Sequence, residues 1–93
     1  MSYEVIGTTY DGKKIVKATI PGATINANST ATFTASVPAL FVKHLLSINY
    51  TTSAPGAISG PFNVTTVNNT VSFTLYSGTT TSISTIDVIV EAV

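Results

Sequence analysis

The chain has little charge. Only 9% of its 93 residues are Asp, Glu, Lys or Arg, and the formal net charge is zero. About 25% charged residues is usual for soluble domains. Because surface charge normally keeps copies of a protein apart, a neutral and weakly charged chain favours association. Its 17 Thr and 10 Ser residues supply hydroxyls instead, and Thr suits solvent-facing strand positions.

Cysteine is absent, which excludes disulfides and thiolate chemistry. Small secreted domains often depend on disulfides, so this absence favours an intracellular origin. The amino terminus has neither a basic nor a long apolar segment, and we expect no signal peptide. The longest apolar run covers residues 39–42, far short of the roughly 20 residues that span a bilayer, so we expect no membrane span.

Residues that could carry chemistry are few and scattered. His44 is the single histidine, and we interpret it as a solvated strand-end residue, because metal sites and catalytic triads need several partners. Asp87 and Glu91 share a strand face but lie about 13 Å apart, beyond the roughly 5–9.5 Å of a glycosidase pair. No phosphate-binding loop or nucleophile elbow occurs. We therefore predict no enzyme activity, no catalytic residue, no cofactor and no metal site.

Basic residues do not indicate a nucleic-acid partner. Lys13, Lys14 and Lys17 form the only basic cluster, and the net charge is zero. Phosphate binding needs net positive charge, so we predict no nucleic-acid binding and assign these lysines to the solubility of a strand edge.

Four Asn-x-Ser/Thr sequons begin at Asn28, Asn49, Asn63 and Asn68. Such sequons arise by chance in a chain this rich in Thr. We interpret them as turn and strand residues, and their modification is left open.

Apolar and polar residues alternate with a period of two along most of the chain. In residues 30–37, Ala, Phe, Ala and Val alternate with Thr and Ser, which is typical of a strand with one wet face. Residues 40–42 fit either a helical turn or the start of a strand. Asp11-Gly12 and Asn68-Asn69 are predicted turns. The predicted strands cover residues 3–8, 14–20, 30–37, 44–52, 62–67, 70–77 and 84–93.

These strands predict a single all-β domain over residues 1–93. We expect an antiparallel β-sandwich of about seven strands, Ig-like or jelly-roll-like, without significant helix. In the fourth and fifth strands the predicted inward side chains are Leu46, Ile48, Tyr50, Phe62 and Val64. The apolar residues that remain outside the predicted core form a predicted assembly surface. In a chain with so few charges, such residues favour a patch that packs against another protein. They are Ile15, Leu40, Phe41, Val42, Ile89 and Val93.

A family resemblance rests on the order of three segments. Residues 35–38, Ala-Ser-Val-Pro, close a strand before a Pro/Gly-rich loop, and residues 67–78 read VNNTVSFTLYSG. Residues 86–90, Ile-Asp-Val-Ile-Val, form the last strand. Across residues 17–93 this order resembles small β-sandwich domains of virion structural proteins, of the phage or archaeal-virus decoration, turret, spike or tail-fibre type. Ser77-Gly78 replaces the Asn that usually follows the penultimate strand. The resemblance implies no catalytic residue.

Two functions follow as hypotheses. The first is a non-enzymatic structural protein of a virus particle, a homo-oligomer that packs on other virion structural proteins and is assembled in the host cytoplasm. The second is a carbohydrate- or cell-surface-binding module with a glycan ligand, suggested by the Thr- and Asn-rich loops and by Tyr3, Tyr10 and Tyr76.

Overall fold

A computed structural model describes residues 2–93, so Met1, the first residue of the predicted domain, lies outside the described residues. These residues form nine strands and one short 3-10 turn, and every strand pair is antiparallel. The predicted all-β antiparallel class is therefore confirmed. The strands are β1 (Ser2–Thr8), β2 (Lys14–Ile20), β3 (Ala23–Ile25), β4 (Ser29–Ser36), β5 (Val42–Asn49), β6 (Ile58–Val67), β7 (Thr70–Ser77), β8 (Thr81–Ile83) and β9 (Ile86–Ala92), with the 3-10 turn at Pro55–Ala57.

Two sheets face each other. The four-stranded sheet has the order β1-β2-β9-β5, and the three-stranded sheet has the order β4-β7-β6. Along the chain, β2, β4, β5 and β6 alternate between the two sheets, which is a jelly-roll-like winding. Contacts place β4 across from β2 and β6 across from β5. As a result β7 lies over β9, and β1 extends beyond the edge formed by β4.

The core lies between the inner rows of the central strands. β2 pairs with β9, and β4 with β7, without any register shift, so the predicted alternation of these four strands is confirmed. Phe33 and Phe73 sit opposite each other on β4 and β7, and their stacked rings have centroids 5.7 Å apart. The inner residues of the two central strands are fully buried: Val71, Phe73, Leu75, Ile86, Val88, Val90 and Ala92.

β5 departs from strict alternation. Two register shifts against β9 make Val42, Leu45 and Ile48 the partners of core-facing residues. The prediction that Leu46 faces inward is therefore wrong: Leu46 is exposed, and Leu45 packs against the core in its place. Ile48 and Tyr50 do pack against the core, as predicted. A bulge adds one residue to a strand, which reverses the facing of the residues that follow.

β6 carries two more irregularities, one between Ser59 and Phe62 and one between Phe62 and Thr65. The prediction that Phe62 and Val64 face inward is wrong, since both are exposed. Phe62 instead pairs with Thr74 on the outer side of the sheet. At Gly60, where φ is +131°, an added Cβ would lie 2.9 Å from the Thr74 carbonyl oxygen, so this close approach requires glycine.

Two strands have no counterpart in the sequence prediction. β3 and β8 have three residues each and pair with each other at one end of the sandwich. Three residues contain too few alternations to show a period, so neither segment was among the predicted strands. No helix among residues 2–93 has the length and apolar character needed to cross a membrane.

The contrast between Phe73 and Phe62 gives a direct test of strand facing. Phe73 is fully buried, whereas Phe62 is 48% exposed on the neighbouring strand. We predict that Phe73→Ala lowers the free energy of unfolding by about 3–5 kcal/mol, through lost burial and a residual cavity. Phe62→Ala should change it by about 0.5 kcal/mol or less. Urea unfolding followed by circular dichroism measures both, and equal losses would contradict the facing of β6.

Candidate assembly surfaces

Charge is confined to one side of the sandwich. The four-stranded sheet and the connections at its ends carry all the Asp, Glu, Lys and His side chains among the described residues: Glu4, Asp11, Lys13, Lys14, Lys17, Lys43, His44, Asp87 and Glu91. β4, β6 and β7 contain none. The molecule therefore has a charged sheet packed against an uncharged one.

Glu91 is the centre of the outer side of the four-stranded sheet, which we call the charged face. β9 runs between β2 and β5, so Glu91 has Ile15 as its partner on one side and His44 on the other. Its Oε1 lies 3.1 Å from His44 Nδ1 and 3.5 Å from Lys13 Nζ. Exposed ion pairs add little stability. Their effect here is to leave Glu91 neutralised by its neighbours.

Two further ion pairs flank this cluster. Lys13 Nζ lies 3.2 Å from Asp11 Oδ2, and Lys17 Nζ lies 3.1 Å from Glu4 Oε1. Hydrogen bonds from Thr9 and Lys13 hold the pKa of Asp11 below its ordinary value. The Asp11 carboxylate raises the pKa of Lys13, and the Glu4 carboxylate raises that of Lys17.

Four of the six predicted assembly residues meet on the charged face. Ile89 on β9 and Val93, directly after the end of β9, lie two residues on either side of Glu91, and Ile15 is the β2 partner of Glu91. Phe41 and Val93 exchange backbone hydrogen bonds of 2.7 and 2.8 Å, which sets their side chains side by side. Ile15, Phe41, Ile89 and Val93 therefore surround Glu91 with apolar surface.

The other two predicted residues lie elsewhere. Val42 is only 5% exposed and belongs to the core, so its placement on an exposed surface is wrong. Its amide donates to the Asn68 carbonyl at 2.8 Å, a link between the two sheets. Leu40 is half-buried and packs against the core. Residues 40–42, left open between a helical turn and a strand, lead into β5, which begins at Val42.

The outer side of the three-stranded sheet is a second candidate surface, which we call the hydroxyl face. It contains Thr30, Thr32, Thr34, Phe62, Thr65, Val67, Ser72, Thr74 and Tyr76.

Its hydroxyls bond to one another along the sheet: Thr32 to Thr74 at 3.1 Å, and Thr34 to Ser72 at 3.0 Å between oxygens. The Tyr76 hydroxyl donates to Asn28 Oδ1 at 3.1 Å. A hydroxyl that already has a protein partner loses less when a second protein displaces its water.

The sequence held an unused signal for the hydroxyl face. Residues 18–42 and 45–86 contain no charged residue, and these two segments include all of β3, β4, β6, β7 and β8. The overall charge content was used in the prediction, but the distribution of charge along the chain was not.

Two adjoining clefts lie on the open side of the sandwich between β5 and β6. One, of about 650 Å³, is lined by residues that include Asn49, Tyr50 and Pro55. The other, of about 400 Å³, is lined mainly by aliphatic side chains such as Leu45, Leu46 and Val64, and it suits an apolar side chain of a partner. Among residues 2–93 no three His, Asp or Glu side chains come together in a way that could hold a metal ion.

Comparison with known proteins finds no match to the chain among family models, curated proteins or solved structures. The candidate surfaces therefore rest on the chemistry and geometry of this chain.

The shifted pKa values predict how thermal stability changes with pH. The raised pKa values of Lys13 and Lys17, and of Tyr50, whose phenol is partly buried, mean that the folded state holds these protons more tightly. Their contribution is complete below the unfolded pKa, so Tm should fall above about pH 10. The lowered pKa of Asp11 acts in the opposite sense, and its contribution should be lost below about pH 4.

Tyr50→Phe is the matched variant for the alkaline limb, because it keeps the ring and removes the ionisable hydroxyl. We expect its Tm to fall less than that of the wild type above about pH 10, and to have the same acid limb. Differential scanning calorimetry across the pH range measures both limbs. An unchanged alkaline limb would show that Tyr50 does not contribute to it.

Proposed function

We propose that this chain is a non-enzymatic structural protein of a virus particle. In this role it is a capsid-decoration, turret, spike or appendage subunit that acts by self-assembly and by packing on other virion proteins. The observation that carries the proposal is the hydroxyl face, an entire outer sheet surface without a charged side chain. The resemblance of residues 17–93 to virion β-sandwich domains supplies the particle as the setting.

The physical argument is the cost of removing water. A charge covered by a partner must be paired or it opposes binding, whereas hydroxyls that are already bonded and apolar side chains are covered at little cost. Phe62 and Val67 are exposed on the hydroxyl face and offer apolar contact area. Depletion of charge at the centre of the contact is also the composition that distinguishes protein interfaces.

The charged face gives the subunit a second contact. Ile15, Phe41, Ile89 and Val93 surround Glu91 on the opposite side of the sandwich from the hydroxyl face. A subunit packed within a layer or shell needs at least two contacts with its neighbours. The hydroxyl face has no charge, and the charged face has apolar side chains around Glu91, so the two faces offer contacts of different chemistry.

Location in the particle tests the proposal directly. An antibody against the chain should label purified virus particles in immunogold microscopy, and the chain should co-purify with them at many copies per particle. Abundance in infected cells together with absence from purified particles would overturn the proposal.

A pair of charge substitutions tests which surface packs. Thr74→Lys places a positive charge at the middle of the hydroxyl face, and Thr51→Lys places the same charge in the exposed connection after β5, outside both faces. We expect Thr74→Lys to reduce incorporation into particles by about tenfold or more, since burying an unpaired ammonium is costly. Quantitative immunoblots of purified particles measure incorporation. Equal effects of the two substitutions would contradict the assignment to the hydroxyl face.

A carbohydrate- or cell-surface-binding module is the second candidate. It is favoured by the aromatic residues Phe62 and Tyr76, which lie among the hydroxyls of the same face. An exposed ring can cover the apolar side of a sugar while neighbouring hydroxyls bond its polar groups. Glycan-array binding that is lost in Phe62→Ala would favour this candidate, and binding no greater than background would count against it.

A further inference from the structure

The two sheets do not match in strand number on the side where β1 lies. Tyr3 and Val5 of β1 pair with Ala18 and Val16, which both face the core, so they lie on the inner side of their sheet. Tyr3 is nevertheless 44% exposed and Val5 50% exposed. The three-stranded sheet ends at β4, across from β2, so one strand position above β1 and beside β4 is unfilled.

The edge of β4 that borders this position is regular. β4 pairs with β7 over eight consecutive residues from Ser29 to Ser36 with no register shift. The other three outermost strands of the two sheets, β1, β5 and β6, all contain at least one register shift. Bulges hinder the addition of a further strand, and regular edges favour it. Of these outer strands, β4 is therefore the one best suited to receive another.

We propose that β1 of a second copy of this chain fills the position, and that the two copies do so reciprocally about a twofold axis. Each composite sheet then has seven strands, in the order β6-β7-β4 from one copy followed by β1-β2-β9-β5 from the other. This inference rests on the proposed function and extends it, since it names the surface through which two copies of the subunit bind each other.

The symmetry follows from the architecture. The twofold axis runs parallel to the strands and lies between the two sheets, at the position of β1. Rotation about this axis places the four-stranded sheet of one copy in the same plane as the three-stranded sheet of the other. β1 of each copy then covers the inner side of the other's β1. Tyr3 and Val5 of the two copies face each other across the normal sheet spacing of about 10 Å.

Strand direction is fixed by the same operation. β1 begins opposite the end of β2, and β4 begins opposite the end of β7, and both of these ends adjoin the β3–β8 ladder. β1 and β4 therefore run in the same direction. Rotation about an axis along the strands preserves direction, so β1 of one copy and β4 of the other form a parallel pair, a pairing found in mixed sheets.

Charge and area both permit the contact. β4 carries no charge, and Glu4, the one charged residue of β1, points to the outer side and is paired with Lys17 at 3.1 Å. No charged side chain of β1 or β4 is buried as a consequence. Each β1–β4 edge is at most seven residues long, about 23 Å by about 10 Å, and includes the register shift of β1 between Val5 and Gly7. The two edges and the contact between the two β1 strands bury at most roughly 1,000 Å² in total, the lower bound for a specific interface.

Crosslinking gives a positional test, because the chain has no cysteine of its own. In Val5→Cys the Cα atoms of the two cysteines of a pair are separated by the sheet spacing of about 10 Å, too far for an unstrained disulfide, while their thiols face each other within reach of a short bismaleimide. Thr51→Cys is the matched control, since Thr51 is exposed in the connection after β5, the strand at the opposite edge of the sheet from β1. We expect the Val5→Cys protein to form covalent dimers at micromolar concentration and the control to form several-fold fewer.

Association in solution gives the second readout. Light scattering on the full chain should show a dimer whose dissociation constant increases by about tenfold or more in Val5→Lys and stays unchanged in Thr51→Lys. Circular dichroism confirms that both variants are folded, as expected for exposed positions. A wild type that remains monomeric at high micromolar concentration, together with a Val5→Cys protein that is not crosslinked, would overturn the inference.

A dimer insensitive to Val5→Lys and crosslinked equally at both cysteines would also overturn it. The proposed function has a separate test, the presence of the chain in purified particles. A failure of the β1–β4 contact is thus distinguishable from a failure of the structural role.

Discussion

The packing of β7 against β9 is the contact on which the rest of the structure depends. Each of these strands has a neighbour on both sides, and their inner side chains are fully buried. β2 and β4 join this pair in unbroken register, whereas irregularities occur in the pairs that involve β1, β5 and β6. Strand pairing is most regular at the centre of the sandwich. The register shifts occur in the three outermost strands other than β4.

The same gradient explains what could be predicted from the sequence. Residues 30–37 and 70–77 alternate cleanly because β4 and β7 each have one side on the core and one in water. Leu46, Phe62 and Val64 were assigned the wrong facing because each follows or lies within a bulge, and a bulge depends on the partner strand as well as on its own residues. The positive φ angles of Gly60 and Asn63 belong to residue types that tolerate them, but the sequence does not show which of many Gly and Asn residues mark a bulge.

The candidate surfaces divide in a similar way. Ile15, Phe41, Ile89 and Val93 could be recognised as apolar residues left over from the core. Their assembly around Glu91 could not, because it requires β9 to lie between β2 and β5, a strand order that local sequence does not encode. The hydroxyl face could have been found from the sequence, since the segments without charge coincide with the strands of one sheet.

Because the few charged residues lie on one sheet, the two outer surfaces of this sandwich differ in chemistry. On the charged face, ion pairs such as Lys17–Glu4 neutralise each other and leave apolar side chains between them. On the hydroxyl face, neighbouring Thr and Ser side chains such as Thr32 and Thr74 satisfy each other. On both surfaces, many polar side chains are therefore bonded to one another, which suits these surfaces to contact with protein rather than with ions.

The bulges of β5 and β6 also limit how far strand pairing can extend. Both strands end their sheets on the side away from β1, and their broken registers offer no straight ladder to an incoming strand. A pair of chains joined through β1 and β4 exposes only these two strands at the ends of its sheets. In such a pair, backbone ladders would stop at two chains instead of growing into an open-ended fibril, and any larger array would form through side chains on the faces.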